Sequence, residues 1–351
     1  MPKKEDDKFM KRCLELAGKA GGLTYPNPMV GAVVVYNGCI IGEGYHIKAG
    51  GAHAEVHAIG SVADKSLLEA STLYVSLEPC SHFGKTPPCT DLVIESKIPR
   101  IVIGTIDTSG KVSGNGIKKL LSGGREVIVG VLEEECRWIN RRFFTFNEKR
   151  RPYIILKWAQ SADGLIDLVR PAGSDTGPYW ITGKSERVLV HKWRSQEQSI
   201  LVGAGTARTD RPELNVRDWA GNNPVRMILS GSGRLDKYIA KNETKEEIIS
   251  FTFNTKTTRG NTRMVLLEKN KPASFQIAEF LYENGIQSLF IEGGAKTLTH
   301  FIETGLWDEA RIFRGTRNFV EGIKGPLIEG KIIQRSKYGT STLEVLVNQM
   351  D

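Results

Sequence analysis

His53-Ala54-Glu55 is followed, 25 residues on from the histidine, by Glu78-Pro79-Cys80-Ser81-His82-Phe83-Gly84-Lys85-Thr86-Pro87-Pro88-Cys89. One imidazole and two thiols make a three-donor set suited to Zn2+, with a fourth coordination position left for water. Glu55 stands two residues after the histidine, where a carboxylate can move protons at that water. Ala54 to Val62 reads as a helix, so His53 and Glu55 fall in its first turn, near the positive end of the helix dipole. Leu73-Tyr74-Val75-Ser76-Leu77 reads as a short buried strand entering Glu78-Pro79-Cys80. Cys89 opens a further helix, and a thiolate at a helix N-terminus has a lowered pKa that favours metal binding. Each part alone has a plain structural meaning: a lone His-x-Glu is usually a solvated helix start, and a lone cysteine pair is usually core. Their joint placement on a helix, a strand and a helix points to chemistry instead.

The pattern resembles the zinc-dependent deaminase signature, H-x-E followed by P-C-x-x-C, in which the glutamate is the general acid/base and not a ligand. Here eight residues separate Cys80 from Cys89 instead of two. That longer loop resembles one family in particular, the bifunctional riboflavin-biosynthesis deaminase/reductases. The resemblance implies zinc on His53, Cys80 and Cys89, with Glu55 as the proton carrier. It also raises Asn27, in Thr24-Tyr25-Pro26-Asn27-Pro28, from ordinary turn chemistry to a substrate-binding residue. His82 and Lys85, in the loop between the cysteines, become candidate substrate ligands, and His46 and Asp107 join them on the same basis.

At 351 residues the chain is long for one domain, and two is the natural expectation. No apolar run approaches membrane-spanning length, and the charged start Met1-Pro2-Lys3-Lys4-Glu5-Asp6-Asp7 lacks the apolar core of a signal peptide; the expected location is cytoplasmic. Of five cysteines, only Cys80 and Cys89 sit in a ligand-like context. Cys13 and Cys39 lie among apolar residues and read as small core residues. The net charge of +8 suits either nucleic acid or small phosphorylated ligands. The lysines and arginines are scattered and not gathered with aromatics into a stripe, which argues against nucleic acid.

Helical spacing runs from about residue 5 to 20. Ala32 to Tyr36 and Cys39 to Gly42 read as a hairpin about Asn37-Gly38, and further strands at Ile101 to Gly104 and Glu126 to Val129 complete an alternating α/β domain. Val131 to Phe146 reads as one more helix-like run. Asn147-Glu148-Lys149-Arg150-Arg151-Pro152 reads as a linker, and the boundary is placed near residue 150.

In the second half, Pro152 to Ala159 reads as a strand. Gln160-Ser161-Ala162-Asp163-Gly164 then resembles the opening of the riboflavin reductase domain, which has a dihydrofolate-reductase-like fold. Trp180-Ile181-Thr182 and Gly205-Thr206-Ala207-Arg208-Thr209-Asp210-Arg211-Pro212-Glu213-Leu214-Asn215-Val216-Arg217 resemble its next motifs. Ser288 to Ile291 reads as a strand entering Glu292-Gly293-Gly294, and two glycines before a helix let a phosphate approach its free N–H groups. No G-x-G-x-x-G stands in a dinucleotide-fold context. By resemblance, Ala159, Trp180, Thr206, Asp210, Gly294, Ala295, Lys296 and Thr297 would hold NADPH, and Leu214, Arg217 and Glu292 the substrate. Arg217 also suits a sugar phosphate on its own chemistry, although an exposed arginine is more often a surface ion-pair residue. Two departures from the family stand out: residues 171–177 look like an insertion, and Pro178 replaces a serine that would contact substrate.

The expected architecture is a cytidine-deaminase-like α/β/α domain over 1–150 and a dihydrofolate-reductase-like α/β domain over 151–351. The expected activity is zinc-dependent deamination of a phosphorylated ribosylaminopyrimidine, then NADPH reduction of its ribosyl group, in a homo-oligomer (dimer or tetramer). The reductase general acid is open among Lys157, Asp163 and Glu292. One alternative is a nucleotide or transfer-RNA deaminase with an unrelated C-terminal domain; another is a non-catalytic zinc scaffold, which would have no use for Glu55.

Overall fold

The computed structural model describes residues 4–83, 87–109, 114–169, 177, 179–231, 247–254 and 261–349. The chain divides into two compact units, Met1–Arg150 and Arg151–Asp351. Lys85, residues 171–176, Pro178 and parts of 231–272 (232–246 and 255–260) lie outside the described residues.

The first unit is built on five strands: β1 (Gly31–Tyr36), β2 (Cys39–Tyr45), β3 (Thr72–Leu77), β4 (Arg100–Thr105) and β5 (Glu126–Val129). They lie in the order β2-β1-β3-β4-β5. The β1 pairings are antiparallel and the β3–β4–β5 pairings parallel. Side chains alternate across a strand, and the cores follow that period. Val33, Val35, Tyr74 and Val102 pack with Phe9, Met10 and Cys13 of α1 (Lys4–Gly18) and Cys136 of α5 (Glu133–Ile139). Val34, Leu73, Val75, Ile101 and Ile103 pack with Ala54, Ala58 and Ile59 of α2 (Ala54–Ser61), Val93 of α3 (Cys89–Glu95) and Leu120 of α4 (Asn115–Ser122). The sheet is therefore a middle layer between helices, as expected for the α/β/α class.

Three local expectations need correction. The run 131–146 is two helices, α5 and α6 (Arg141–Lys149), with a break at Asn140. The buried Asn140 amide accepts the Met29 N–H at 2.8 Å and donates to the Met29 carbonyl at 2.9 Å. A tertiary partner for the side chain thus fixes a non-helical backbone. The charged run 147–149 belongs to the last turn of α6, so the connection is only Arg150-Arg151-Pro152. Cys39 is exposed, not core, because it starts the edge strand β2 beside the turn.

The second unit holds a nine-stranded sheet. Its strands are β6 (Tyr153–Gln160), β8 (Ser199–Gly203), β9 (Val225–Ser230), β10 (Ile248–Thr252), β11 (Thr262–Leu266), β12 (Ser288–Ile291), β13 (Glu309–Arg314), β15 (Lys331–Tyr338) and β16 (Ser341–Val347). The order is β11-β10-β9-β8-β12-β6-β13-β16-β15, and a small pair joins β7 (Leu165–Asp167) to β14 (Ile323–Lys324). Pairings from β11 to β13 are parallel; those of β16 are antiparallel. One face packs on α9 (Ala273–Glu283) and α10 (Ala295–Glu303) through Ile277, Leu281, Leu298 and Phe301. The other packs on α7 (Lys184–Gln196) and α8 (Ala204–Asp210) through Val190, Trp193 and Ala207. Parallel strands covered on both faces carry near-continuous apolar runs, as in Ile154-Ile155-Leu156 and Leu289-Phe290-Ile291.

Candidate active sites

In the first unit the chemistry gathers where parallel strands end. β3 runs out at Leu77 into Glu78-Pro79-Cys80, His53 is the residue before α2, and Cys89 is the first residue of α3. His53 Nδ1 lies 3.5 Å from Cys80 Sγ and 3.3 Å from Cys89 Sγ. The three donor atoms all fall within 4.8 Å of one another, the one such group among the described residues. Cys80 is pulled down to about 4 by hydrogen bonds from the Cys89 thiol, from His53 and from the Cys89 N–H. Cys89 is pushed up by the same thiol contact and by burial. Two thiols and an imidazole at this range compete for protons, and a borderline-soft divalent cation satisfies all three; the donor set fits Zn2+. Glu55 is almost fully buried, and that burial raises its pKa, favouring the proton-carrying form.

His46 is buried beside His53, their rings edge to face at 5.5 Å. Its Nδ1 donates to the Ala52 carbonyl at 3.0 Å. Nε2 is then an acceptor and receives the Asn27 amide at 3.1 Å. Burial lowers the His46 pKa and keeps the ring neutral. Asp107 is buried just beyond β4, accepts the Ser109 N–H at 2.8 Å, and is raised in pKa by burial. His82 is exposed. Lys85, as noted, falls outside the described residues.

The second unit carries a cleft of about 1280 Å3 at the C-terminal ends of its parallel strands, where open α/β sheets bind ligands. The residues assigned to the reductase from the sequence all line it: Ala159, Trp180, Thr206, Asp210, Leu214, Arg217 and Glu292, then Gly294, Ala295, Lys296 and Thr297. The Thr206 hydroxyl accepts the Gly294 N–H at 3.0 Å, tying α8 to the start of α10. Leu214 buries its side chain in the core and has φ 56°, so its backbone is what meets the cleft. Trp180 is exposed, with the Arg187 guanidinium stacked over its ring. Arg217 is half exposed and holds Asn215 Oδ1 at 3.0 Å.

Glu292 stands at the end of β12 with its side chain 12% exposed. Arg194 clasps it with two hydrogen bonds of 2.6 and 2.9 Å, and Lys157 stands 3.8 Å away. Burial pushes this carboxyl up, but Arg194 and Lys157 outweigh it and hold the group at about 2. Lys157 is lowered by its own burial. Asp163 does not line the cleft; it is held at about 2 by Ser161 and by the N–H groups of Phe319 and Val320, which makes it a turn anchor. Arg194 was missed from the sequence, where it is one basic residue of an amphipathic helix. Its partner lies 98 residues away, so local pattern carries no signal for it.

A family model described as the cytidine and deoxycytidylate deaminase zinc-binding region matches residues 3–105, and the RibD C-terminal domain matches residues 152–316. The riboflavin biosynthesis protein RibD of Aquifex aeolicus is 42% identical over 323 residues, 91% of this chain and 89% of that protein. RibD of Escherichia coli is 31% identical over 328 residues, 88% of this chain and 87% of that protein. Among solved structures, a diaminohydroxyphosphoribosylaminopyrimidine deaminase/5-amino-6-(5-phosphoribosylamino)uracil reductase from Thermotoga maritima superposes with a TM-score of 0.86 at 39% identity, covering 98% of this chain and 99% of that one. Acinetobacter baumannii RibD gives 0.85 at 27% identity, covering 99% of each. With its imidazole–dithiol cluster in a zinc-binding deaminase domain and its cleft in a RibD-type reductase domain, the chain belongs to the RibD family of bifunctional riboflavin-biosynthesis enzymes.

Proposed function

We propose that the two units act in sequence on one phosphorylated pyrimidine. The first hydrolyses the 2-amino group of 2,5-diamino-6-ribosylamino-4(3H)-pyrimidinone 5′-phosphate. The second reduces the ribosyl group to ribityl, giving 5-amino-6-ribitylaminouracil 5′-phosphate. The carrying observation is that one chain holds both a His53–Cys80–Cys89 cluster flanked by a buried acid, and a separate large cleft lined by Lys157, Arg194 and Glu292.

His53, Cys80 and Cys89 would hold Zn2+, which would supply Lewis acidity that brings a water's pKa towards neutrality. Glu55 takes a proton from the attacking water and delivers protons to the ring nitrogen and the departing ammonia; burial, which raises its proton affinity, suits both tasks. Asn27, fixed by the neutral His46, binds the pyrimidine, and Asp107, His82 and Lys85 complete the substrate side.

NADPH bound in the cleft would supply the hydride for the second step. The N–H groups from Gly294 into α10 suit its phosphates, with Thr206 bracing Gly294 and Ala159, Trp180, Asp210, Lys296 and Thr297 around it. Arg217 takes the substrate phosphate, beside the Leu214 backbone. Glu292, kept ionised, orients the sugar, and Lys157, made more acidic by burial, gives its proton to the ring oxygen as the bond from that oxygen to C1′ breaks and hydride takes its place on C1′.

No helix among the described residues is long and apolar enough to cross a membrane. The proposed setting is a cytoplasmic homo-oligomer without a nucleic-acid partner, the scattered basic residues supporting the last point. The deciding experiment incubates zinc-loaded protein with the ribosylaminopyrimidine phosphate under anaerobic conditions and follows ammonia and NADPH together. Ammonia followed by stoichiometric NADPH loss is the expected result. Ammonia without NADPH loss would remove the reductase half, and activity on RNA alone would favour the transfer-RNA deaminase reading.

A further inference from the structure

Glu78 is buried to 4% exposure at the end of β3, two residues before Cys80. Its carboxylate gathers four backbone N–H groups. Oε1 accepts from Gly116 at 2.9 Å and Ile117 at 3.2 Å; Oε2 accepts from Gly114 at 3.0 Å and Asp107 at 3.3 Å. A carboxylate offers only acceptors, and here both oxygens serve the N-terminus of α4 and the residue that begins the loop beyond β4. Gly116 is matched to it: a Cβ there would fall on the Pro79 carbonyl oxygen and crowd the Glu78 side chain. Asp107 and the start of α4 are thus both pinned to the strand end by one side chain.

Cys80 is tethered by other means. Its carbonyl accepts the N–H and the hydroxyl of Thr90, both at 3.2 Å, and its sulfur receives the Cys89 N–H at 3.4 Å. The metal ligand therefore hangs from the start of α3, while the Asp107 segment hangs from Glu78. We infer that Glu78 is a positioning residue for deamination: it sets the place of Asp107 against the pyrimidine and leaves the metal donors unaffected. The inference rests on the reading of Asp107 as a substrate residue.

Glu78→Gln keeps the shape but offers one acceptor oxygen and turns an NH2 donor towards two N–H groups. Glu78→Asp keeps the carboxylate but draws it back by one methylene from the four N–H groups, without touching the Pro79 carbonyl. For both variants the expected result is zinc at one per chain, an unchanged visible spectrum after Co2+ replacement, and an unchanged rate of NADPH oxidation with the deaminated intermediate, which reports a folded chain. The KM of ammonia release is expected to rise by about tenfold or more, with a smaller fall in kcat. Loss of zinc or an altered Co2+ spectrum would overturn the inference, since Glu78 would then serve the ligands. An unchanged KM in both variants would overturn it as well. The wild-type protein separates the two levels: no ammonia from wild type removes the deaminase reading itself, whereas a competent wild type with an unaltered Glu78→Gln KM removes only the Glu78 assignment.

Discussion

Replacing Arg194 with methionine removes the main partner of a buried carboxylate. The side chains of Arg194 and Glu292 are 10% and 12% exposed, and the pair is bidentate. The Glu292 carboxyl sits at about 2 against an ordinary 4.5. At 1.36 kcal/mol for each unit, that depression corresponds to roughly 3 kcal/mol of stability at neutral pH. Breaking a buried pair by removing one partner costs about 3–5 kcal/mol, and Lys157 at 3.8 Å remains as a second cation, so the lower end applies. In a unit of this size, about 3 kcal/mol lowers the melting temperature by roughly 6–12 °C. A depressed folded pKa gives stability that is complete above the unfolded value and lost as pH falls through about 2, so the wild type keeps its pair at pH 5. In the variant, burial without Arg194 raises the Glu292 pKa, and protonation near pH 5 relieves the strain. Calorimetry of the full chain, following the transition that added NADPH raises, should show a large gap between wild type and Arg194→Met at pH 7.5 and a smaller one at pH 5. Arg194→Met/Glu292→Gln should recover only part of the loss, because it removes the stranded carboxylate but leaves Lys157 without its 3.8 Å partner. A gap below about 1 kcal/mol at pH 7.5, or one that does not change with pH, would refute the reasoning.

Glu55→Gln is expected to keep zinc and the reductase rate while ammonia release falls by about 10²–10⁴, the usual worth of general acid–base catalysis; metal analysis beside both assays checks it. Stripping zinc with a chelator should abolish ammonia release and spare NADPH oxidation on deaminated intermediate, and zinc, not magnesium, should restore the first. Gly44→Ala drives a Cβ into the backbone of α2 at Ala54 and Ala58. Overpacking of this kind costs about 1–3 kcal/mol, so the first unit should melt lower by roughly 3–10 °C.

Much of the architecture could be read before the structure, because its signals are local. The β-branched run Val33-Val34-Val35 already reads as a strand and Asn37-Gly38 as its hairpin turn, while which valine faces α1 and which α2 shows only in the structure. The cluster was legible for a different reason: His53, Glu55, Cys80 and Cys89 are rare residue types at element ends, and their spacing carries information by itself. The rest depends on partners distant in sequence. Arg194 looks like any basic residue of a helix until Glu292 is brought beside it. Asn140 interrupts a helical run only because Met29 offers both an N–H and a carbonyl to its amide. Cys39 sits in an apolar stretch, yet edge-strand geometry exposes it. Asp163 follows a serine in a family motif, but its carboxylate is spent on Phe319 and Val320.

The Asn140 latch also bears on where this chain can be divided. The deaminase family match ends at residue 105, yet β5 and α5 still complete the sheet and its second face beyond that point. Asn140 then reaches back to Met29, two residues from Asn27 in the proline-bounded turn. A free-standing deaminase cut from this gene must therefore retain the sequence through α6, and a fusion that trims it would loosen the turn at the far end of the fold. The last helix before the boundary packs Phe143 and Phe144 against Leu77 and Val30, and the joint between the two units is only the three residues Arg150-Arg151-Pro152.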